Sequence, residues 1–463
     1  MMITVLRSCI AAVLLLAVAV KSSAWSDHAS LGWPLFQTMP DVIEAPLVET
    51  ESLKDFLVQE AVGLQWLLAD QERWARDNLV HYSPRPDALT FDASTPAENI
   101  VQQFAYAIRI NPTLPYALYR QLMAFETLQE SMRPKAIAEL TFLQSAIKNN
   151  SLRYVSIEPN VLVMPIHVIA AASDEPDFGM DVDLFENSGT EFGDQYGFGD
   201  VPFGNLNLDY GSQAPFHMGF YYLDWVTRTV QPGLLKTYPE YRTHLYKTLA
   251  TYAFQSGHPY WGWRFLGWGL HYVGDMSQPY HALPLPGVST LQGAWQIITG
   301  HGDDVVQLVS NRHGAIESFQ QQIMHRKIAR QDWQGPIMQA LAGSPSVAQG
   351  SDVFTASTLK DELARESRDA ASSMDSVIKN NLPAKIVSDP TFELSGSAED
   401  ERMIELVFSK GGQPAVNRMT LVVADQLERF ARYTRSWVRT ILQDGRMCVR
   451  SDVGSNEDCF TTQ

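Results

Sequence analysis

Apolar residues recur at helical spacing along most of the chain. Residues 51 to 77, ESLKDFLVQEAVGLQWLLADQERWARD, place Leu, Phe, Val and Trp three and four positions apart, which gathers them on one helix face. Residues 97 to 109 and 115 to 149 read similarly, broken at Asn111-Pro112 and weakened at Pro134. The apolar run 161 to 173 meets a turn at Asp174-Glu175-Pro176. Further helices are predicted over 217–230, 239–256, 260–277, 303–329, 357–375, 397–409 and 416–442. Between Asp177 and Gln213 the pattern fails, and Gly, Asp, Asn and Phe dominate. A loop of that length in a compact protein usually lines a site. There is no internal repeat and little strand-like alternation. The expected fold is all-α, a large helical bundle with long site-forming loops. A Gly/Ser-rich break at 344–354 separates a main domain, 25–343, from a mostly helical C-terminal region, 344–463.

The first 24 residues read as a signal peptide. Arg7 supplies the positive start, Ile10 to Val20 is a short apolar run, and Ser22, Ser23 and Ala24 form a small-residue cleavage site. Cleavage would leave Trp25 first, in a protein exported to the periplasm or the extracellular space. The chain of 463 residues carries a formal charge of -17. Losing Arg7 and Lys21 makes it more negative, and such a surface does not attract polyphosphate non-specifically. Of the three cysteines, Cys9 lies in the leader. Cys448 and Cys459 remain, and in an exported protein they are expected to form one local disulfide.

The chemistry concentrates in HYVGDMSQPYH, residues 271 to 281. His271 and Asp275 are four apart, so a helix puts both on one face, within reach of one metal. Pro279 ends that helix and lets the chain turn His281 back. His313 and Glu317 repeat the one-turn spacing. Together they supply the mixed nitrogen and oxygen environment that suits zinc.

In Trp25 at the cleavage point, in GLHYVGDMSQPYHA (269–282), and in His313 with Glu317, the chain resembles the superfamily of zinc-dependent bacterial phospholipases C and single-strand-specific nucleases. The likeness covers about half of the chain after residue 24. It implies a helical enzyme with three zinc ions. Asp275 would bridge a close pair. One ion of the pair would take His217, His271 and an upstream aspartate, with Asp174 first and Asp177 second in line. The other would take the amine and carbonyl of Trp25 and a histidine nearby, His28, with His81 as a distant substitute. The third would take His281, His313 and Glu317. The catalytic residues would be Asp174, or Asp177 in its place, as a base orienting a metal-activated water, and the bridging Asp275. A helical insertion at about 40–160 has no counterpart in the resemblance.

The implied reaction is phosphodiester hydrolysis. Its first-choice substrate is a glycerophospholipid, cleaved to diacylglycerol and phosphorylated headgroup during transient contact with a membrane surface. Acidic and aromatic residues at Asp194, Tyr196, Asp200 and Tyr210 are candidates to hold a quaternary ammonium. Nucleic acid is the alternative substrate, for a single-strand nuclease or 3′-nucleotidase. A non-enzymatic, zinc-stabilised binding module is the rival reading from a different class.

Overall fold

The computed structural model describes residues 27–289, 293, 295–296, 299–343 and 353–447. Its centre is a helix in which every residue from Tyr260 to Ser277 is buried. This helix, Pro259–Ser277, starts with proline at its first position, where no amide partner is needed. It stops because Gln278, which precedes Pro279, is forced into an extended conformation (ψ 117°).

In chain order the main helices are α1 His28–Phe36, α2 Leu53–Gln59, α3 Ala61–Asn78, α4 Ile100–Ile108, α5 Pro165–Asp174, α6 Ala214–His217 and α7 Trp225–Val230. They continue with α8 Pro239–Gln255, α9 (the central helix), α10 Pro279–Ala282, α11 Gly302–Ala329, α12 Pro336–Ala342, α13 Arg365–Asn381 and α14 Met403–Met447. The long α11 carries Asp303 and Asp304 in its first turn and Arg326 and Lys327 in its last, which matches the helix dipole at both ends. α14 kinks at Gly411 and Gly412, where the backbone leaves helical geometry.

Helices α5, α8 and α14 pack around α9. One continuous core runs from Ala29 to Leu442, with Trp261, Trp268 and Trp437 wholly buried in it. The Trp437 indole donates to the Leu266 carbonyl at 3.1 Å, so the C-terminal helix is fastened directly to the central one. Residues 353–447 thus share the core of the other described residues.

Among the described residues the fold is predominantly helical, with two small sheets. β1 Val48–Glu49 pairs antiparallel with β5 Leu162–Val163. β4 Arg153–Ser156 lies between β2 Tyr119–Leu122 and β3 Pro134–Lys135, antiparallel to both. This corrects the helix expected over 115–149, where only Gln144–Asn149 is α-helical. The helix expected over 217–230 is also shorter and begins at Trp225. There the Asp224 carboxylate accepts the amides of Val226 and Thr227 at 2.9 and 3.1 Å and sets the start.

Among the described residues no helix is long and apolar enough to cross a membrane. The predicted signal segment and Trp25 lie outside the described residues. The expected disulfide is withdrawn: none is found, and Cys9, Cys448 and Cys459 all lie outside the described residues.

Candidate metal centre

Five helices and one short turn deliver the polar side chains. α1 opens at His28 because Asp27, in a left-handed conformation (φ 80°), caps it by accepting the Ser30 amide at 2.9 Å. Gln121 and the His325 ring hold the same carboxylate at 2.9 and 2.5 Å, so the position just before His28 is fixed from three sides. α5 ends at Asp174, and the 3-10 turn Glu175–Phe178 that follows presents Asp177. α6 ends on His217. α9 presents His271 and Asp275 one turn apart, α10 carries His281, and α11 carries His313 and Glu317.

Among the described residues these side chains form three groups, each able to hold a metal ion: His28, His271 and Asp275; Asp177, His217 and His271; and His281, His313 and Glu317. His28 Nε2 lies 3.5 Å from Asp275 Oδ1. The other oxygen, Oδ2, lies 2.9 Å from His217 Nδ1 and 3.4 Å from His271 Nε2. Asp275 therefore turns its two oxygens to different histidines. In the third group Glu317 Oε1 lies 2.7 Å from His313 Nε2 and 3.8 Å from His281 Nε2.

Zinc fits this donor set. Both ring nitrogens of His28 and of His313, both oxygens of Asp275 and Nε2 of His281 are buried without a hydrogen bond. The short approaches, 2.7 Å between Glu317 and His313 and 2.9 Å between Asp275 and His217, are between members of the groups themselves. Buried polar atoms normally find hydrogen-bond partners. Nitrogen and carboxylate oxygen atoms that converge in this way suit a shared cation.

The surroundings also set which nitrogen faces each group. His271 Nδ1 donates to the Ser173 carbonyl at 2.8 Å, and His281 Nδ1 to the His217 carbonyl at 2.9 Å. A carbonyl only accepts, so the proton sits on Nδ1 and the Nε2 lone pair points to the group. His217 is reversed, with Nε2 3.5 Å from Asp181 Oδ2 and Nδ1 facing Asp177 and Asp275. Asp181 is wholly buried. Burial alone would raise its carboxyl, but the Arg242 guanidinium beside it and the contact with His217 outweigh that and hold it below the usual range.

Burial drives His271 well below the ordinary imidazole value, and His281 down to about 3, so both rings are neutral as ligands must be. Burial also pulls on His217, yet Asp181 and Asp275 prevail and lift it to about 10. Carboxylates on both sides of one imidazole make a place that favours positive charge. Asp177 has a side chain 19% exposed, yet the protein around it still pushes it up to about 7, against the pull of His217 and His28.

Asp174, the first-choice ligand, belongs to none of the three groups. Its Oδ1 is 3.9 Å from His28 Nδ1 and accepts the Ala29 amide at 3.3 Å. Burial, then the neighbouring Asp27 and Asp177, raise it well above the usual range. Asp177 takes the position expected of it, at 3.7 Å from His271 Nε2. His271 serves two groups where one was expected. His28 is present, and His81 is exposed elsewhere. Trp25 lies outside the described residues. The conjectured ammonium pocket does not assemble, because Tyr196 is a core residue whose hydroxyl donates to the Ile110 carbonyl at 2.6 Å, while Asp194 and Asp200 are exposed.

Two supporting clusters had escaped the sequence reading. Asp181 accepts the Tyr272 hydroxyl at 2.5 Å and Arg242 Nε at 2.9 Å. Asp375 on α13 accepts the Tyr280 hydroxyl at 2.7 Å and Arg312 Nε at 2.6 Å. Tyr272, Tyr280 and Arg312 each adjoin a group histidine in sequence, and that adjacency was the available signal. No family model matches the chain, and no curated protein or solved structure matches it either.

Proposed function

We propose that the protein is an exported zinc-dependent phosphodiesterase, with a glycerophospholipid as its substrate and diacylglycerol and a phosphorylated headgroup as products. The observation that carries the reading is the split presentation of Asp275, whose oxygens face His28 on one side and His217 with His271 on the other. A carboxylate so placed is suited to join two ions. Zinc, when bound, neutralises charge on a phosphodiester and makes water nucleophilic at neutral pH.

The chain's own residues supply the rest. Asp275 would be shared by two ions, with His28 beside one and Asp177, His217 and His271 beside the other, and His281, His313 and Glu317 would hold a third. Asp181 keeps His217 oriented, and the Ser173 carbonyl does the same for His271. Asp177 is the partly exposed acid of the set, and its carboxylate is placed to orient an attacking water. A phospholipid, which is no polyanion, agrees with the overall acidity of the chain.

The test is hydrolysis by the purified, zinc-loaded protein of phosphatidylcholine, phosphatidylethanolamine, single-stranded DNA and a 3′-nucleotide, with His271→Ala as control. Phosphorylated headgroup released from lipid, and lost in the control, supports the reading. Cleavage of nucleic acid alone moves the protein to nuclease chemistry. Zinc bound with every substrate intact keeps the metal assignment and withdraws both the phospholipase and the nuclease activity.

A further inference from the structure

A cavity of ≈ 600 Å³ lies outside the three groups, within the size range of small-molecule sites. Its walls include Val226, Val230, Leu234, Leu283, Leu285 and Val306. The exposed Asp224, Arg368 and Asp369 also line it, and they form a polar rim. Arg368 Nη1 lies 2.7 Å from Asp369, so the one cation among these three is already paired. The walls are therefore largely aliphatic, with Tyr222, Thr227, Gln231 and Ser372 among them, and the charge is confined to the edge.

Four segments run from this cavity to the ligand groups. The chain leaves His217 and reaches Leu223 on the cavity wall. Along the way the Gly219 amide donates to the His281 carbonyl at 2.8 Å. His281 leads to Leu283 on the wall two residues later. On α11, Val306 and His313 are seven apart, two helical turns along one face, or about 10 Å. On α13, Ser372 lines the cavity, and Asp375, one turn on, grips Tyr280 and Arg312 beside the third group. The cavity is thus joined to the neighbourhood of His281, His313 and Glu317 along these four segments.

Two tryptophans mark the outside. Trp225 is 78% exposed and sits between Asp224 and Val226, and Trp295 is 65% exposed and adjoins Gln296, another wall residue. Large exposed indoles are costly in water, and their amphipathic rings suit a lipid–water boundary.

We propose that this cavity takes the aliphatic chain of an amphiphilic phosphoester and so brings the phosphoester to the third group. The placing of the phosphoester rests on the phosphodiesterase reading, whereas the capture of the chain does not. An apolar tail gains by leaving water for such walls.

The probe is dodecylphosphocholine below its micelle concentration, titrated calorimetrically into the whole protein with and without zinc, with phosphocholine as the chainless control. Binding of dodecylphosphocholine to both forms is expected, together with no binding of phosphocholine to the zinc-free form. Val230→Trp and Val306→Trp each fill the cavity and should weaken binding at least tenfold. Val230 is near the surface, so its variant keeps the test sound if Val306→Trp melts early. Equal binding by wild type and either folded variant, or none by wild type, overturns the proposal. Chain capture in a wild-type protein that hydrolyses no phosphoester supports the cavity and refutes only the activity.

Discussion

Asp181 touches no ligand group's interior, yet it joins the His217 ring to the Arg242 guanidinium. Replacing a carboxylate behind a ligand histidine commonly costs 10–100-fold in metal affinity. Asp181→Asn should do so here, and should also destabilise the fold by about 3–5 kcal/mol, because Arg242 is left as a buried charge without its partner. Metal titration and thermal melts check the two effects separately. Asp177→Ala is expected to lower bound zinc by one ion, measured by elemental analysis, and Asp174→Ala to leave the stoichiometry intact. The sequence offered both aspartates and put Asp174 first, whereas Asp177 is the one that stands in a ligand group. α5 ends at Asp174, and the tighter turn that follows re-aims the next three residues, which periodicity does not reveal. The His271–Asp275 and His313–Glu317 pairs were legible because each lies within one unbroken helix.

Another residue-level expectation concerns pH. His258 lies 2.9 Å from Glu51 and 3.3 Å from Glu60, and the Glu51 contact above all raises it from 6.5. Its folded value is the higher one. The stabilisation is therefore fully present below the unfolded value and is lost as pH rises through the raised value. The melting difference between wild type and His258→Gln should shrink accordingly above neutrality. It should stay below about 1 kcal/mol, since solvent screens a partly exposed pair.

At the scale of elements, α9 is legible as a helix, but the tightness of its packing is not. A Cβ at Gly269 would stand 2.4 Å from Trp437, and one at Gly267 would stand 2.6 Å from the Ala172 Cβ. Glycine at these positions lets α14 and α5 approach closely. Gly269→Ala should cost about 1–3 kcal/mol through overpacking, read from chemical denaturation. Gly274 differs, because its added Cβ would meet His28 Cδ2 at 2.9 Å and Nε2 at 3.1 Å. Gly274→Ala should push the ligand ring aside and weaken metal binding more than it lowers the melting temperature. The β2–β4–β3 sheet was missed for a different reason. Its pairs join residues such as Tyr119 and Ser156, far apart in sequence, and local spacing carries no trace of such a partner.

For the whole molecule, the three groups draw on α1, α6, α9, α10, α11 and the turn after α5, so metal would cross-link segments from residue 28 to residue 317. Chelation should lower the melting temperature of a zinc-loaded preparation. Each ion held at a hundred times its dissociation constant contributes about 2.7 kcal/mol, and restoring zinc should restore the transition. The expected all-helical bundle stands in its main lines. The break at 344–354 suggested a separate C-terminal region, because a Gly/Ser run looks like a boundary whether or not the following helix returns to the same core.

Arg242 has a consequence for anyone reshaping this protein. Its guanidinium also donates to the carbonyls of Ile108 and Arg109, at 2.8 and 2.6 Å, where α4 ends. The stretch from 40 to 160 contributes no side chain to the three groups, and a designer seeking a smaller protein would cut there first. That cut would strip Arg242 of two acceptors and loosen the carboxylate that orients His217. Miniaturisation would disarm the centre without touching a ligand. A tag or label has a safer berth at residues 127–131, which are exposed on the turn between β2 and β3.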